Sequence, residues 1–399
     1  MTPREFAIDV VRRLRESGFE ALWAGGCVRD ELLGITPADY DVATNAKPEE
    51  VQKLFPRTIA IGAAFGVIDV VGPKYDGKYL NVQVATFRSD GTYTDGRRPD
   101  SVTFGTAEAD AQRRDFTVNG LFFDPLDNRL IDYVGGQKDL EAKILRAIGN
   151  PIDRFTEDKL RVLRAVRMAT RFDLLIDPAT LLAGKSIAPE IGAVSVERIA
   201  EELRKLLSHP KRSRGVSLLE EFGLVEPILP ELKETLLSAI IARLPAGAEF
   251  PLAFASLLLP LNHKETRKVC LRLKLSNDEL RRVVWLVEHR EALIDSAEMP
   301  RSRLFPFLSH PFVRDLIHLL RAQGFDKSAE DCERIICETT MEILDPVPLV
   351  TGDDLIATGW KSGPEFKRIL DAVRAAQLDG LVQSRGEAMT LAEQLRLTP

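Results

Sequence analysis

The hydrophobic pattern of this chain changes period once, near residue 140, and that switch demands two kinds of architecture in one polypeptide. Upstream, short runs at Glu20–Ala24, Gly66–Val71 and Leu80–Phe87 are separated by Gly25-Gly26, Gly62, Gly72-Pro73 and Asp76-Gly77. β-rich runs of this length between turn residues predict strands. An opening segment, Pro3–Ser17, places Phe6, Val10, Val11 and Leu14 at helical spacing. A strand, a glycine pair, a helix and further strands together predict a small α/β sheet domain. Beyond about residue 145, helical spacing runs through Glu157–Phe172, Val196–Leu207, Arg214–Glu221, Asn277–Ile294 and Pro364–Leu378. Loop signals near Pro245–Phe250 and Pro346–Gly352 mark boundaries inside that helical part. Many helices with short loops suit a scaffold that grips something long.

A chain of 399 residues exceeds one ordinary core, so two to four domains are expected. No run of about 18 apolar residues occurs, which predicts no membrane-spanning helix, and the charged N-terminus does not read as a signal peptide. Cys27, Cys270, Cys332 and Cys337 are scattered without metal-like spacing, which fits a reducing, cytoplasmic setting. The net charge is −6, yet Arg154–Arg171 and Arg204–Arg214 are locally basic. Local fields set phosphate affinity, so the acidic total leaves an RNA partner open; each cluster alone reads as a solvated helix face.

Three constellations carry chemistry. In the first, Gly25-Gly26-Cys27-Val28-Arg29-Asp30 precedes Asp39-Tyr40-Asp41. Two glycines between strand and helix let a backbone approach a ligand and free its amides for phosphate oxygens. Asp39 and Asp41, two apart, would point to one face of a strand, where paired carboxylates suit hard divalent cations. The second is Arg113-Arg114-Asp115-Phe116-Thr117-Val118-Asn119, an Arg-Arg-Asp cluster against an apolar stretch, able to hold a ribose hydroxyl and a phosphate. In the third, Asp158 and Arg161 are expected as i, i+3 neighbours on one helical face, continued by Arg164 and Arg167. Taken singly, each has a bland reading: exposed turn aspartates, a surface ion-pair patch, a solvated helix face.

Together the segments GGCVRDELLG with DYD, TFRSDGTYTDGRRPDSVTF, RRDFTVNG with DPL, IDYVGGQKDL and RFTEDKLRVLRAVRMATRF are similar to the bacterial class II tRNA nucleotidyltransferase and poly(A) polymerase family, within the polymerase-β-like superfamily. VSVERIAEELRKLL resembles a later helix motif of that family, and TGDDLIATGWKSGPEFKRILDAV its C-terminal tRNA-gripping region. The resemblance implies an α+β polymerase-β-like nucleotidyltransferase head over 1–145, followed by an all-α neck (146–210), body (211–345) and tail (346–399). It implies that Asp39 and Asp41 are catalytic and hold Mg²⁺. Gly25, Gly26 and Arg29 would meet the triphosphate, and Arg114, Asp115 and Asn119 the nucleotide and its ribose. Asp158 and Arg161 would read the base, with Arg164 and Arg167 nearby.

The activity so implied is template-independent addition of CCA to the 3′ end of tRNA from CTP and ATP. The close alternatives are a poly(A) polymerase or an enzyme adding only the terminal A, acting on an RNA 3′ end. The segment between Phe87 and Arg113 is long, unlike the shortened one of CC-adding relatives. A non-catalytic RNA-binding protein would be expected to have lost Asp39 or Asp41, and an antibiotic-modifying nucleotidyltransferase would need no long helical half. No DNA or membrane partner is expected. Two departures stand out. Gln83 occupies a position where the family commonly has a carboxylate, and none of His209, His263, His289, His310 and His318 is followed by Asp, so an HD phosphohydrolase domain is not expected.

Overall fold

The computed structural model describes residues 1–62, 66–91, 101–232, 238–361 and 363–397. Part of the TFRSDGTYTDGRRPDSVTF segment, residues 92–100, lies outside them. The chain forms two compact units, Met1–Leu206 with Arg214–Pro230, and Leu207–Ser213 with Glu231–Pro399. The expected head and the expected neck as far as Leu206 lie in the first unit, while residues 207–210 of the neck fall in the second.

The first unit opens on α1 (Pro3–Glu16), started by a capping box between Thr2 and Glu5 with proline at the first turn. Its stripe of Phe6, Ala7, Val10, Val11 and Leu14 is buried, as the spacing predicts. The sheet comprises β1 (Ala21–Ala24), β2 (Asp41–Thr44), β3 (Thr58–Gly62), β4 (Val67–Tyr75) and β5 (Lys78–Thr86). A separate hairpin, β6 (Arg88–Asp90) and β7 (Val102–Phe104), follows; β8 (Leu121–Asp124) and β9 (Arg129–Asp132) complete the main sheet. Its order is β3-β4-β5-β2-β1-β8-β9. The β2–β5 pair is parallel, while the other neighbours run antiparallel. Ile68 on β4, Val84 on β5 and Val42 on β2 are in register and buried, whereas Gln83 between Val82 and Val84 is exposed. One sheet face is therefore core, and the other carries the polar row.

The helix expected over Glu157–Phe172 is two helices, α6 (Pro151–Glu157) and α7 (Leu160–Phe172). Asp158 leaves helical geometry at φ −144° and ψ 102°, and its carboxylate accepts from the Leu160 amide at 3.1 Å. A short acidic side chain competes for backbone donors and so favours a helix start over a helix interior. The neck is also not wholly α: β10 (Ile144–Leu145) pairs in parallel with β11 (Leu175–Ile176). Val196–Leu207 is helical as expected.

The second unit is helical. Phe250–Leu257 is buried along its whole length. The helix expected over Asn277–Ile294 ends at Glu288, and Leu293, whose apolar side chain extends the periodic run, is buried from the turns that follow. Arg212, from the second basic cluster, is 1% exposed and donates to the carbonyls of Leu207, Pro245, Ala246 and Ala248. It pins backbone rather than facing solvent. Pro364–Leu378 is helical, and Ile369 and Val373 pack with Leu355 and Trp360 into a C-terminal core. Among the described residues no helix is long and apolar enough to cross a membrane.

Candidate active site

The turn after β1 fixes the first wall. Gly25 sits at φ +71°, which favours glycine, and a Cβ there would lie 2.7 Å from Nη1 of Arg114 and displace that guanidinium. A short helix, α2 (Gly26–Leu32), begins at once and turns Arg29 inward. Arg29 is buried, stacks at 4.1 Å on the Phe172 ring, and donates to Asp30 through Nε and Nη2 at 2.9 and 2.6 Å. Burial pulls its pKa down and Asp30 opposes that pull.

Arg29 Nη1 also donates to Oδ1 of Asn119, whose Nδ2 donates to Oδ1 of Asp115 at 2.9 Å. The second oxygen of Asp115 accepts from Nε and Nη2 of Arg164, at 3.0 and 2.6 Å. Three motifs distant in sequence thus form one relay, Asp30–Arg29–Asn119–Asp115–Arg164. Burial raises the Asp115 pKa, but Arg164, the Asn119 hydrogen bond and Arg161 outweigh it and hold the carboxyl well below the usual range. The same pair drives Arg164 upward.

Asp110 anchors the Arg-Arg pair from behind: Arg113 Nη2 reaches it at 2.6 Å and Arg114 Nη2 at 2.8 Å. These are i, i+3 and i, i+4 spacings, so Asp110 was legible in the sequence as their partner. On α7, Arg161 pairs with Glu157 at 2.6 Å and Arg167 with Glu202 at 2.5 Å. Asp158 is held by Arg198 in a bidentate pair at 3.2 and 2.7 Å. Asp158 and Arg161 are therefore not an i, i+3 ion pair on one helix; each has a different partner.

All ten expected nucleotide-binding residues, Gly25, Gly26, Arg29, Arg114, Asp115, Asn119, Asp158, Arg161, Arg164 and Arg167, line one cavity of about 410 Å³. Arg113, Met168 and Arg198 complete it. Arg198 stands in the VSVERIAEELRKLL segment on a later helix, but nothing local to it points to Asp158, and only tertiary packing brings the two together. Seven arginines and two aspartates form the lining, and the carboxylates of Asp30, Asp110, Glu157 and Glu202 fix the guanidiniums from behind. Held in place and facing open space, guanidiniums offer a preorganised cradle for phosphate oxygens.

Asp39 and Asp41 do not line this cavity; they lie at the start of the interior strand β2, where Asp41 feels the charge of Arg114 from the cavity wall. Asp41 starts β2, but Asp39 precedes the strand and is exposed, so strand alternation does not align the two. The buried Tyr40 between them packs on Trp23, with ring centroids 4.7 Å apart, and donates to Glu31 at 2.7 Å. The Asp41 carboxyl is pushed up to about 6 by burial, then by the charge of Asp39, with Arg114 opposing and Asp69 adding to the rise. Two repelling hard-oxygen donors of this kind fit a divalent cation. Among the described residues, no group of three or more His, Cys, Asp or Glu side chains is placed to hold a metal.

A mixed sheet that carries paired aspartates beside an arginine-lined cavity is the arrangement of a nucleotidyltransferase, and the following matches show that class. The poly A polymerase head domain model matches residues 21–146, the model for an RNA- and SrmB-binding site of polymerase A matches 173–236, and the tRNA nucleotidyltransferase domain 2 model matches 250–392. A CCA-adding enzyme of Streptococcus mutans is 33% identical over 97% of this chain and 96% of its own length. The crystal structure of the Bacillus stearothermophilus CCA-adding enzyme in complex with CTP superposes with a TM-score of 0.74 and 28% identity, covering 100% of this chain and 98% of that one. Poly(A) polymerase I of Haemophilus influenzae is 38% identical, over 58% of this chain and 53% of its own length. The chain belongs to the CCA-adding enzyme family.

Proposed function

We infer that this protein adds cytidine, cytidine and adenosine to the 3′ end of tRNA from CTP and ATP, releasing pyrophosphate at each step. The observation that carries this reading is the cavity itself, with its seven fixed arginines beside the Asp39–Asp41 pair. Relatives matched over nearly the whole chain are CCA-adding enzymes, whereas the poly(A) polymerase match covers little more than half of it, which favours CCA addition over adenosine tailing.

The proposed division of labour follows the geometry. The amides at the Gly25-Gly26 turn and the Arg29 and Arg114 guanidiniums receive the triphosphate. Asp115 and Asn119 set the ribose, and Arg164 and Arg167 stiffen the wall behind the base. Asp39 and Asp41 would hold Mg²⁺, which lowers the barrier by neutralising charge on the transferring phosphate. Asp158 and Arg161 read the base. Cytosine and adenine both present an amino donor beside a ring-nitrogen acceptor, which a carboxylate and a guanidinium complement; uracil and guanine present the reverse. Arg198 and Glu157 keep those two side chains in place while leaving hydrogen-bonding capacity for the base. The helical second unit, including the segment 346–399, would bind the body of the tRNA. The free cysteines are compatible with the cytoplasm as the working compartment.

The test is product analysis on a tRNA ending at the discriminator base, with CTP alone, ATP alone, and both. Growth by three nucleotides with both, and by cytidines only with CTP, is expected. Long adenosine tails without use of CTP would overturn the reading in favour of poly(A) synthesis.

A further inference from the structure

On the polar face of the sheet, three side chains stand in one row across three strands. Asp69 on β4 pairs in register with Gln83 on β5, and Gln83 pairs in register with Asp41 on β2. Cross-strand partners project to the same face, so the row Asp69, Gln83, Asp41 crosses the sheet to the aspartate assigned above to the metal. Adjacent strands lie about 4.8 Å apart, which puts Asp69 two strands, about 10 Å, from Asp41, with the amide between them.

Two facts single out Asp69. It is 8% exposed, and its buried Oδ1 has no hydrogen-bond partner. A buried carboxylate without full partners costs folding free energy, and such groups recur where function requires them. Its in-register neighbour on β5, Gln83, is the side chain placed to donate to that carboxylate, and it holds the Asp69 pKa down against burial. A carboxylate only accepts, so a Gln83 amide that bonds it turns its N–H₂ towards β4. The donor and acceptor of a primary amide lie on opposite edges, so the Gln83 oxygen turns towards β2 and Asp41. An amide oxygen facing a carboxylate is unfavourable by itself and becomes favourable when a cation lies between them.

We propose that Asp69 is a positioning residue that clamps the Gln83 carboxamide by its N–H, so that the Gln83 oxygen joins Asp39 and Asp41 as a third hard donor for the divalent ion. This rests on the reading of Asp39 and Asp41 as metal ligands. The carboxylate that the family commonly carries at position 83 is thereby replaced by an amide oxygen with a buried negative charge one strand behind it. Without Asp69 the amide is free to flip, and an N–H₂ group facing Asp41 repels a cation.

The test is Mn²⁺ binding to the full-length protein without nucleotide, followed by electron paramagnetic resonance of the free ion. Asp69→Asn, which keeps shape and removes the obligate acceptor, should raise the Mn²⁺ dissociation constant about tenfold, in line with the loss of an outer-shell orienting group. Asp69→Asn with Gln83→Glu should restore binding, because a carboxylate presents oxygen whichever way it turns. Gln83 is exposed, so Gln83→Met should fold normally, and it too should weaken Mn²⁺ about tenfold. In activity assays the Mg²⁺ requirement of Asp69→Asn should rise while KM for tRNA stays unchanged. Mn²⁺ affinity within twofold of wild type for Gln83→Met or for folded Asp69→Asn overturns this inference and leaves the two-aspartate reading intact. Mn²⁺ binding that survives Asp41→Ala overturns both.

Discussion

If Asp41 is kept for the metal, the metal-free fold should become more stable when its charge is removed. Its carboxyl lies at about 6 against an ordinary 3.8, raised by burial and by the charges of Asp39 and Asp69, with Arg114 opposing. A shift of about two pKa units corresponds to about 3 kcal/mol between the protonated and ionised forms. Asp41→Asn removes the charge, keeps the shape, and leaves an amide to be solvated at the site mouth, so a net gain of about 2 kcal/mol is expected. For a unit of this size that raises Tm by about 4–8 °C.

The pH dependence has a definite sign. Between the unfolded and folded pKa values the native state of the wild type binds the extra proton, so its stability falls as pH rises through that window. The advantage of Asp41→Asn should be absent below about pH 4 and complete above about pH 7. An ion at ten times its dissociation constant should return about 1.4 kcal/mol to the wild type and little to the variant. Thermal unfolding by scanning calorimetry at pH 4.0, 5.5 and 7.5, each with EDTA or Mg²⁺, reads all three effects. An Asp41→Asn protein no more stable than wild type at pH 7.5 in EDTA, or a difference that does not change with pH, means that the Asp41 charge does not destabilise the metal-free fold.

Asp39→Ala should lower nucleotide incorporation by at least about 10³-fold with little change in tRNA affinity, measured by single-turnover extension and filter binding. Asp158→Ala and Arg198→Ala should each relax discrimination against UTP and GTP, and their double variant should be no worse than the poorer single one, because they act as one bidentate unit; incorporation of all four nucleotides checks this. Asp115→Asn breaks a buried pair with Arg164 and should destabilise the first unit by about 3 kcal/mol, read from the urea midpoint. The depressed carboxyl of Asp115 contributes stability above the ordinary aspartate range that is lost as pH falls through its folded value, so the gap from Asp115→Asn should narrow in acid. Arg212→Met leaves four buried or half-buried backbone carbonyls without their donor and should cost the second unit about 3 kcal/mol or more, seen as loss of soluble yield or a lowered Tm.

The change of period near residue 140, the strands around Gly25-Gly26 and most of the helices were set by local patterning, because alternation and 3.6-residue spacing are properties of neighbours along the chain. Every member of the nucleotide cavity except Met168 and Arg198 stood in one of the three motifs that the sequence displayed. Tertiary structure alone decided how those members are joined. Arg29 could have paired with any acid; packing of α2 against the Thr117–Asn119 turn gave it Asn119, and through it Asp115 and Arg164. Asp158 looked like a helical neighbour of Arg161, yet a carboxylate that captures a nearby backbone amide breaks the helix and is then met by Arg198. Asp69 gave no signal within its strand, since an aspartate between Ile68 and Val70 reads as a solvated position. Cross-strand register made it the buried partner of Gln83, and register is fixed by the whole sheet rather than by any segment of it.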